Sequence, residues 1–82
     1  MWKEGNITID GVEFKYQAKV FQEPSKFGIG GGKISKLEVT RDLHDNRWHQ
    51  ELNILQYDRG WVYKSDDVLA KKVLTYILNL YN

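Results

Sequence analysis

The last eighteen residues, SDDVLAKKVLTYILNLYN from Ser65 to Asn82, constrain this chain more than any other stretch. Leu69, Val73, Tyr76, Ile77 and Leu80 recur at the i, i+4, i+7, i+8, i+11 spacing that lines one face of an amphipathic helix. Ser65 predicts an N-cap, because its hydroxyl can accept a free backbone N–H of the first turn. Asp66 and Asp67 then place negative charge at the positive end of the helix dipole. Lys71, Lys72, Thr75 and Asn79 fall on the opposite side. A helix of this length is marginal alone in water, so its apolar face requires cover from the residues before it.

Those residues read as strands. Ile7 and Ile9 alternate with Thr8, Asp10-Gly11 follows, and Val12, Phe14, Tyr16, Ala18 and Val20 alternate with Glu13, Lys15, Gln17 and Lys19. Asp-Gly between two alternating runs is a strong hairpin signal, because both central residues of a type I′ turn need positive φ. A two-residue loop sets Ile9 opposite Val12 and Ile7 opposite Phe14. The same register puts Trp2 beside Lys19 on the other face, unless a bulge at Gly5 reverses it. Residues 22–33, QEPSKFGIGGGK, form a glycine-rich, flexible connection. A third strand is expected over Ile34 to Arg41, with Leu37 and Val39 inward. A turn through Asp42 to Asn46 then leads to a fourth strand, Trp48 to Tyr57. There Trp48, Leu52 and Ile54 suggest an inward face, though Leu55 and Tyr57 have the other parity. Asp58-Arg59-Gly60 is a turn, and Trp61-Val62-Tyr63 forms a short edge strand or a lead into the helix.

The sum is a single α+β domain over residues 1–82: a two-layer antiparallel meander of about four strands with one C-terminal helix packed on one face. Glu13, Lys15, Gln17, Lys19, Glu38, Thr40, His49, Glu51 and Asn53 would form the uncovered face, as antiparallel sheets allow. Three Trp, five Tyr and three Phe supply the bulk of the core, and cysteine is absent. Disulfides and thiolate metal sites are thereby excluded. MWKEGNITIDG has no apolar signal core, and no apolar run approaches the roughly 20 residues of a membrane span. The expected location is cytoplasmic, with no membrane association.

Catalytic and cofactor motifs fail on their own spacing. A P-loop ending at Gly32-Lys33 would have Phe27 in place of its first glycine and Ile34 in place of Ser or Thr. A G-x-G-x-x-G reading of Gly28-Ile29-Gly30 meets Lys33 where the last glycine belongs. Asp42, His44, Asp45, His49 and Glu51 are rich in metal-ligand types, but their spacing matches no established ligand pattern, and turn acids with surface histidines explain them. No nucleophile motif surrounds Ser25, Ser35 or Ser65. The expectation is no enzyme, no metal and no cofactor.

Two binding surfaces remain. The apolar arc of the helix widens through Ala70, Leu74, Leu78 and Tyr81 to about 200°, beyond the ~100° that one covered face needs. Leu74 and Leu78 are then either wrapped by loops or exposed for a partner or a second copy. With Phe27 and Ile29 of the glycine loop, they are the candidate contact residues for an unidentified protein, with a homodimer through the helix as one form. The alternative partner is nucleic acid, held by Lys15, Lys19, Lys33, Lys36, Arg41 and Arg47 with Trp2 or Trp48 as a stacking surface. Against it stand Glu13, Glu38 and Glu51 on the same face, and a net charge of only +1.

Trp2-Lys3-Glu4-Gly5, Glu23-Pro24-Ser25 with Phe27-Gly28-Ile29, Lys33 to Leu37, and Tyr57 to Trp61 together give the chain a pattern. It resembles small uncharacterised proteins of Gram-positive bacteria and their phages or other mobile elements. That resemblance carries no activity or site residue across. It implies a genomic setting in which short, non-enzymatic proteins modulate a host or phage macromolecule, inhibitors of host defence among them.

Overall fold

The structure is a computed structural model that describes residues 1–44 and 49–82. Asp10 and Gly11 have φ of 52° and 78°, the two positive values that the type I′ turn requires. The turn joins β1 (Trp2–Ile9) to β2 (Val12–Val20) with Ile9 opposite Val12 and Ile7 opposite Phe14. The register runs unbroken to Trp2 opposite Lys19, so Trp2 lies on the face away from the core. Next come β3 (Ile34–His44), β4 (His49–Asp58) and β5 (Trp61–Lys64), in the spatial order β1-β2-β3-β4-β5 with every neighbour antiparallel. Helix α1 (Val68–Tyr81) closes the chain and packs on one face. The two-layer α+β meander is the expected fold, with Trp61–Lys64 as a fifth strand.

The β3–β4 hairpin is longer than its sequence implied. Asp42, Leu43 and His44, read above as a turn, continue β3 and pair with Glu51, Gln50 and His49. Two long strands can satisfy each other's backbone groups without cover from the helix. Fourteen helical residues span about 21 Å, whereas the molecule extends 43 Å along its longest axis. Leu52, on the helix-side face near the outer end of β4, is exposed. Asp45, Asn46, Arg47 and Trp48 lie outside the described residues.

Three bulges decide which side chains meet the helix. Val20 pairs with Ile34 while Lys19 pairs with Lys36, leaving Ser35 as the extra residue. Val39 pairs with Leu55 while Thr40 pairs with Asn53, leaving Ile54 extra. Tyr57 pairs with Trp61 while Gln56 pairs with Tyr63, leaving Val62 extra. Each inserted residue flips the alternation that follows it. The mixed parity of the fourth strand is thus real: Ile54, Leu55 and Tyr57 are all buried, whereas Leu52, beyond the bulge, is exposed.

The helix is also seated differently from its sequence stripe. Ala70, Val73, Leu74 and Ile77 are buried, and Leu69, Leu78 and Tyr81 pack partly against them. Tyr76 and Leu80, expected at the centre of the apolar face, remain about half exposed at 48% and 50%. Ala70 lets the backbone approach the sheet closely. At the other end the Tyr81 hydroxyl meets the Tyr16 hydroxyl at 2.6 Å. Together these anchors roll the helix toward Leu74. Its N-cap moves as well: the Asp67 carboxylate accepts from Leu69 N at 2.9 Å, while the Ser65 hydroxyl accepts from Asp67 N one step earlier.

Tyr16 has a second role. Its partner across the strands is Gly5, and a Cβ at Gly5 would lie 2.9 Å from the Tyr16 ring. The ring therefore covers the bare backbone of the edge strand, a known way of rescuing an edge glycine. Burial, the bond to Tyr81 and the nearby Tyr81 and Tyr76 hydroxyls push the Tyr16 pKa from 10.0 up to about 12.

Candidate interaction surface

Residues 22–33 fold into a closed structure. Ser25 N donates to Gly32 O, Gly28 N to Ser25 O, and Gly32 N to Ile29 O, with a 3-10 turn over Ile29–Gly31. Asn82 locks it: its Oδ1 accepts from Lys33 N at 3.0 Å and Ile34 N at 3.3 Å, and its Nδ2 donates to Ile29 O at 3.1 Å. The amide of Asn82 occupies the space that a side chain at Gly32 would need. Glycine at position 32 serves a close approach of the Asn82 amide.

This closure sorts the candidate contact residues. Ile29 turns into the core at 6% exposure, and Leu74 is buried by the roll of α1. Leu78 is partly buried against the same core. These three side chains are engaged within the fold, so Leu74 and Leu78 do not form an open helix patch. Phe27 is the exception, at 51% exposed.

Phe27 stands beside a feature that the sequence left as a minor strand. The Tyr57 hydroxyl donates to Phe27 O at 2.8 Å, and the Tyr57 ring meets Trp61 edge-on with centroids 5.1 Å apart. From Trp61 the exposed surface continues along β5, whose four residues are all exposed. Because Val62 is the bulge residue, Trp61 lies on the helix side of the sheet and Tyr63, opposite Gln56, on the open side. Aromatic side chains thus flank both faces of a strand that, among the described residues, has a neighbour on one side only. Lys64 sits over the Trp61 ring at 4.9 Å and Lys26 over Phe27 at 5.1 Å, so these two exposed rings each have a cation on one face.

The other edge of the sheet is built differently. β1 presents Lys3, Glu4, Asn6 and Thr8, all exposed, the kind of charged and polar side chains that guard a free edge, with the exposed Trp2 at its start.

The residues of the nucleic-acid alternative are scattered. Lys15, Lys19 and Lys36 share the open face, by register, with Glu4, Glu13, Glu38 and Asp58. Three cations against four carboxylates leave that face without a positive field among the described residues. Lys36 already pairs with Asp58 at 3.8 Å, and Lys19 lies over the Phe21 ring at 5.6 Å. Lys33 flanks the glycine loop, and Arg41, opposite Phe14 and Leu52, belongs to the helix-side face. Arg47 lies outside the described residues.

Of the metal-ligand types noted in the sequence, Asp45 also lies outside the described residues, and the other four are in the outer part of the β3–β4 hairpin. Among the described residues no group of three or more His, Asp or Glu stands together. None of their helices is long and apolar enough to cross a membrane.

The fold and this surface define a small two-layer α+β module with an edge strand exposed along its whole length. By sequence the chain belongs to a family described as a domain of unknown function (DUF7678), which it matches over residues 1–82. No curated protein and no solved structure matches it.

Proposed function

We propose that this protein is a small non-enzymatic binding module that acts by protein–protein contact, through the aromatic edge formed by β5 and the neighbouring Phe27. The observation that carries this reading is the exposure of Trp61, Val62 and Tyr63 on a strand whose outer backbone groups have no neighbouring strand. Apolar side chains around an open edge are what an extended or second sheet segment recognises, with backbone bonds supplying affinity and the flanking rings specificity. Aromatic residues are also the usual anchors of protein interfaces. The balanced charge of the open face favours this partner class over nucleic acid, which needs a net positive field. The resemblance to small proteins of Gram-positive bacteria and mobile elements makes a host macromolecule, for instance a component of a defence system, the kind of target such a module would modulate.

A photo-crosslinking amino acid placed at Val62, compared with the same residue at Thr75 on the exposed side of α1, tests the reading in cells. Protein adducts at position 62 and none at 75 are expected. Adducts to nucleic acid instead, with a gel shift that weakens steeply as salt is added, would replace this reading with the nucleic-acid one.

A further inference from the structure

We propose that the occupant of the β5 edge is a second copy of this chain, paired antiparallel about a two-fold axis between Val62 and Tyr63. This rests on the reading of β5 as the contact edge and adds the identity of the partner.

The bulge supplies the first reason. Trp61 pairs with Tyr57 and Lys64 with Leu55, both on the helix side of the sheet. Trp61 and Lys64 therefore point to the same side although they are three positions apart, which regular alternation forbids. Across the proposed axis Trp61 of one copy stands opposite Lys64 of the other, on that shared side, and Val62 opposite Tyr63. The lysine that covers Trp61 within the chain at 4.9 Å can make the same cation–π contact with the second copy's ring. An isologous contact requires this kind of self-complementary order, each residue meeting a partner that meets it in return.

Charge supplies the second. In the same register Arg59 falls just beyond the ladder at the end where Asp66 of the other copy lies. Both are exposed, and both lie just outside β5. The axis thus joins two opposite-charge pairs by symmetry. Like charges do not meet at Lys64, which faces an aromatic ring.

Area sets the strength. Trp61, Val62 and Tyr63 are exposed by 38%, 63% and 51%. With Lys64 they would remove roughly 350–400 Å² per copy from water, about 700–800 Å² in total. Stable interfaces bury about 1,200–2,000 Å². The bulge also limits the backbone ladder to a short stretch. The contact is therefore a reversible dimer with a dissociation constant of roughly 10–500 µM, not an obligate one.

Sedimentation equilibrium of the purified protein from about 5 to 500 µM is the direct measurement, with circular dichroism verifying that each variant is folded. A monomer–dimer equilibrium in that range is expected. Lys64→Glu should weaken it at least about fivefold, since it removes the cation from Trp61 and faces no compensating charge. Arg59→Asp and Asp66→Arg should each weaken it, because each places like charges across the axis. The double variant carries both swaps and should recover most of the loss. A protein monomeric at 500 µM overturns the proposal, as does a dimer that ignores all of these changes. Should the chain stay monomeric while position 62 still crosslinks another protein in cells, the second copy falls and the contact edge stands.

Discussion

Gly32 and Asn82 lie fifty residues apart in sequence, yet the structure makes them act as one unit. Asn82 contributes three side-chain hydrogen bonds to the glycine loop. At about 0.5–1.5 kcal/mol net for each bond, with some exposure to solvent, Asn82→Ala should cost about 2 kcal/mol. Gly32→Ala should cost a similar amount for the same reason. Its backbone is extended, with φ −94°, so alanine adopts it readily; what alanine cannot do is share space with the Asn82 amide. The added methyl displaces that amide and breaks the same three bonds. The two changes together should then cost about 2 kcal/mol rather than about 4, a coupling well above the few tenths expected of independent sites. For a domain of this size each single variant lowers Tm by roughly 8–15 °C. Urea unfolding followed by tryptophan fluorescence on the four proteins of this double-mutant cycle measures the coupling directly. Additive costs, within about 0.5 kcal/mol, would refute the claim that Asn82 fills the place of a Gly32 side chain.

Gly5→Ala should destabilise by about 1–3 kcal/mol through its overlap with the Tyr16 ring, whereas Gly60→Ala, where a Cβ meets nothing within 4 Å, should be near neutral; urea midpoints compare the two. Because the folded pKa of Tyr16 is raised from 10.0 to about 12, the unfolded chain loses that proton first. The corresponding stability is full below about pH 10, is lost as pH rises toward about 12, and amounts to roughly 1–2 kcal/mol. Tyr16→Phe should remove that part of the slope in denaturation curves taken between these pH values. Asp67→Ala should cost about 1 kcal/mol as the loss of a helix N-cap, and Ser65→Ala less, in the reverse of the order read from sequence alone; thermal melts decide. Lys72→Ala, which breaks the exposed 2.7 Å pair with Asp10, should change stability by less than about 1 kcal/mol.

The parts of this fold that were legible in the sequence are those set by neighbours along the chain. Asp10-Gly11 specifies its turn because φ is a local property, and the strict alternation from Val12 to Val20 follows from that turn. The Asp58-Arg59-Gly60 turn has the same character, with Arg59 at φ 58°. What the sequence left hidden depends on pairs far apart. A bulge is a relation between two strands, so Ile54 beside Leu55 reads as conflicting parity until β3 is laid against β4. The roll of α1 is likewise set by Tyr16 and Tyr81, sixty-five residues apart. A helix wheel whose apolar arc spans about 200° allows several seatings and selects none.

That difference explains why the proposed contact surface moved. Leu74 and Leu78 stood out because a wide arc needs cover, and the roll of the helix supplied that cover from the sheet. Tyr76 and Leu80 on the helix and Trp61, Val62 and Tyr63 at the edge are among the large hydrophobics left exposed, with Trp2, Phe27 and Leu52 elsewhere. Trp61, Val62 and Tyr63 had a signal in the sequence. They are a short apolar run between a turn and a helix cap, too brief to bury itself and placed where the meander ends. A terminal strand of a meander has no later strand to cover it, so apolar residues there are a cost to solubility unless a partner meets them. β1, the other free edge, carries charges, the exposed Trp2 and a glycine shielded by Tyr16. The exposure of all four β5 residues is what supports the proposed reading of that edge, and it is a property of topology as much as of composition.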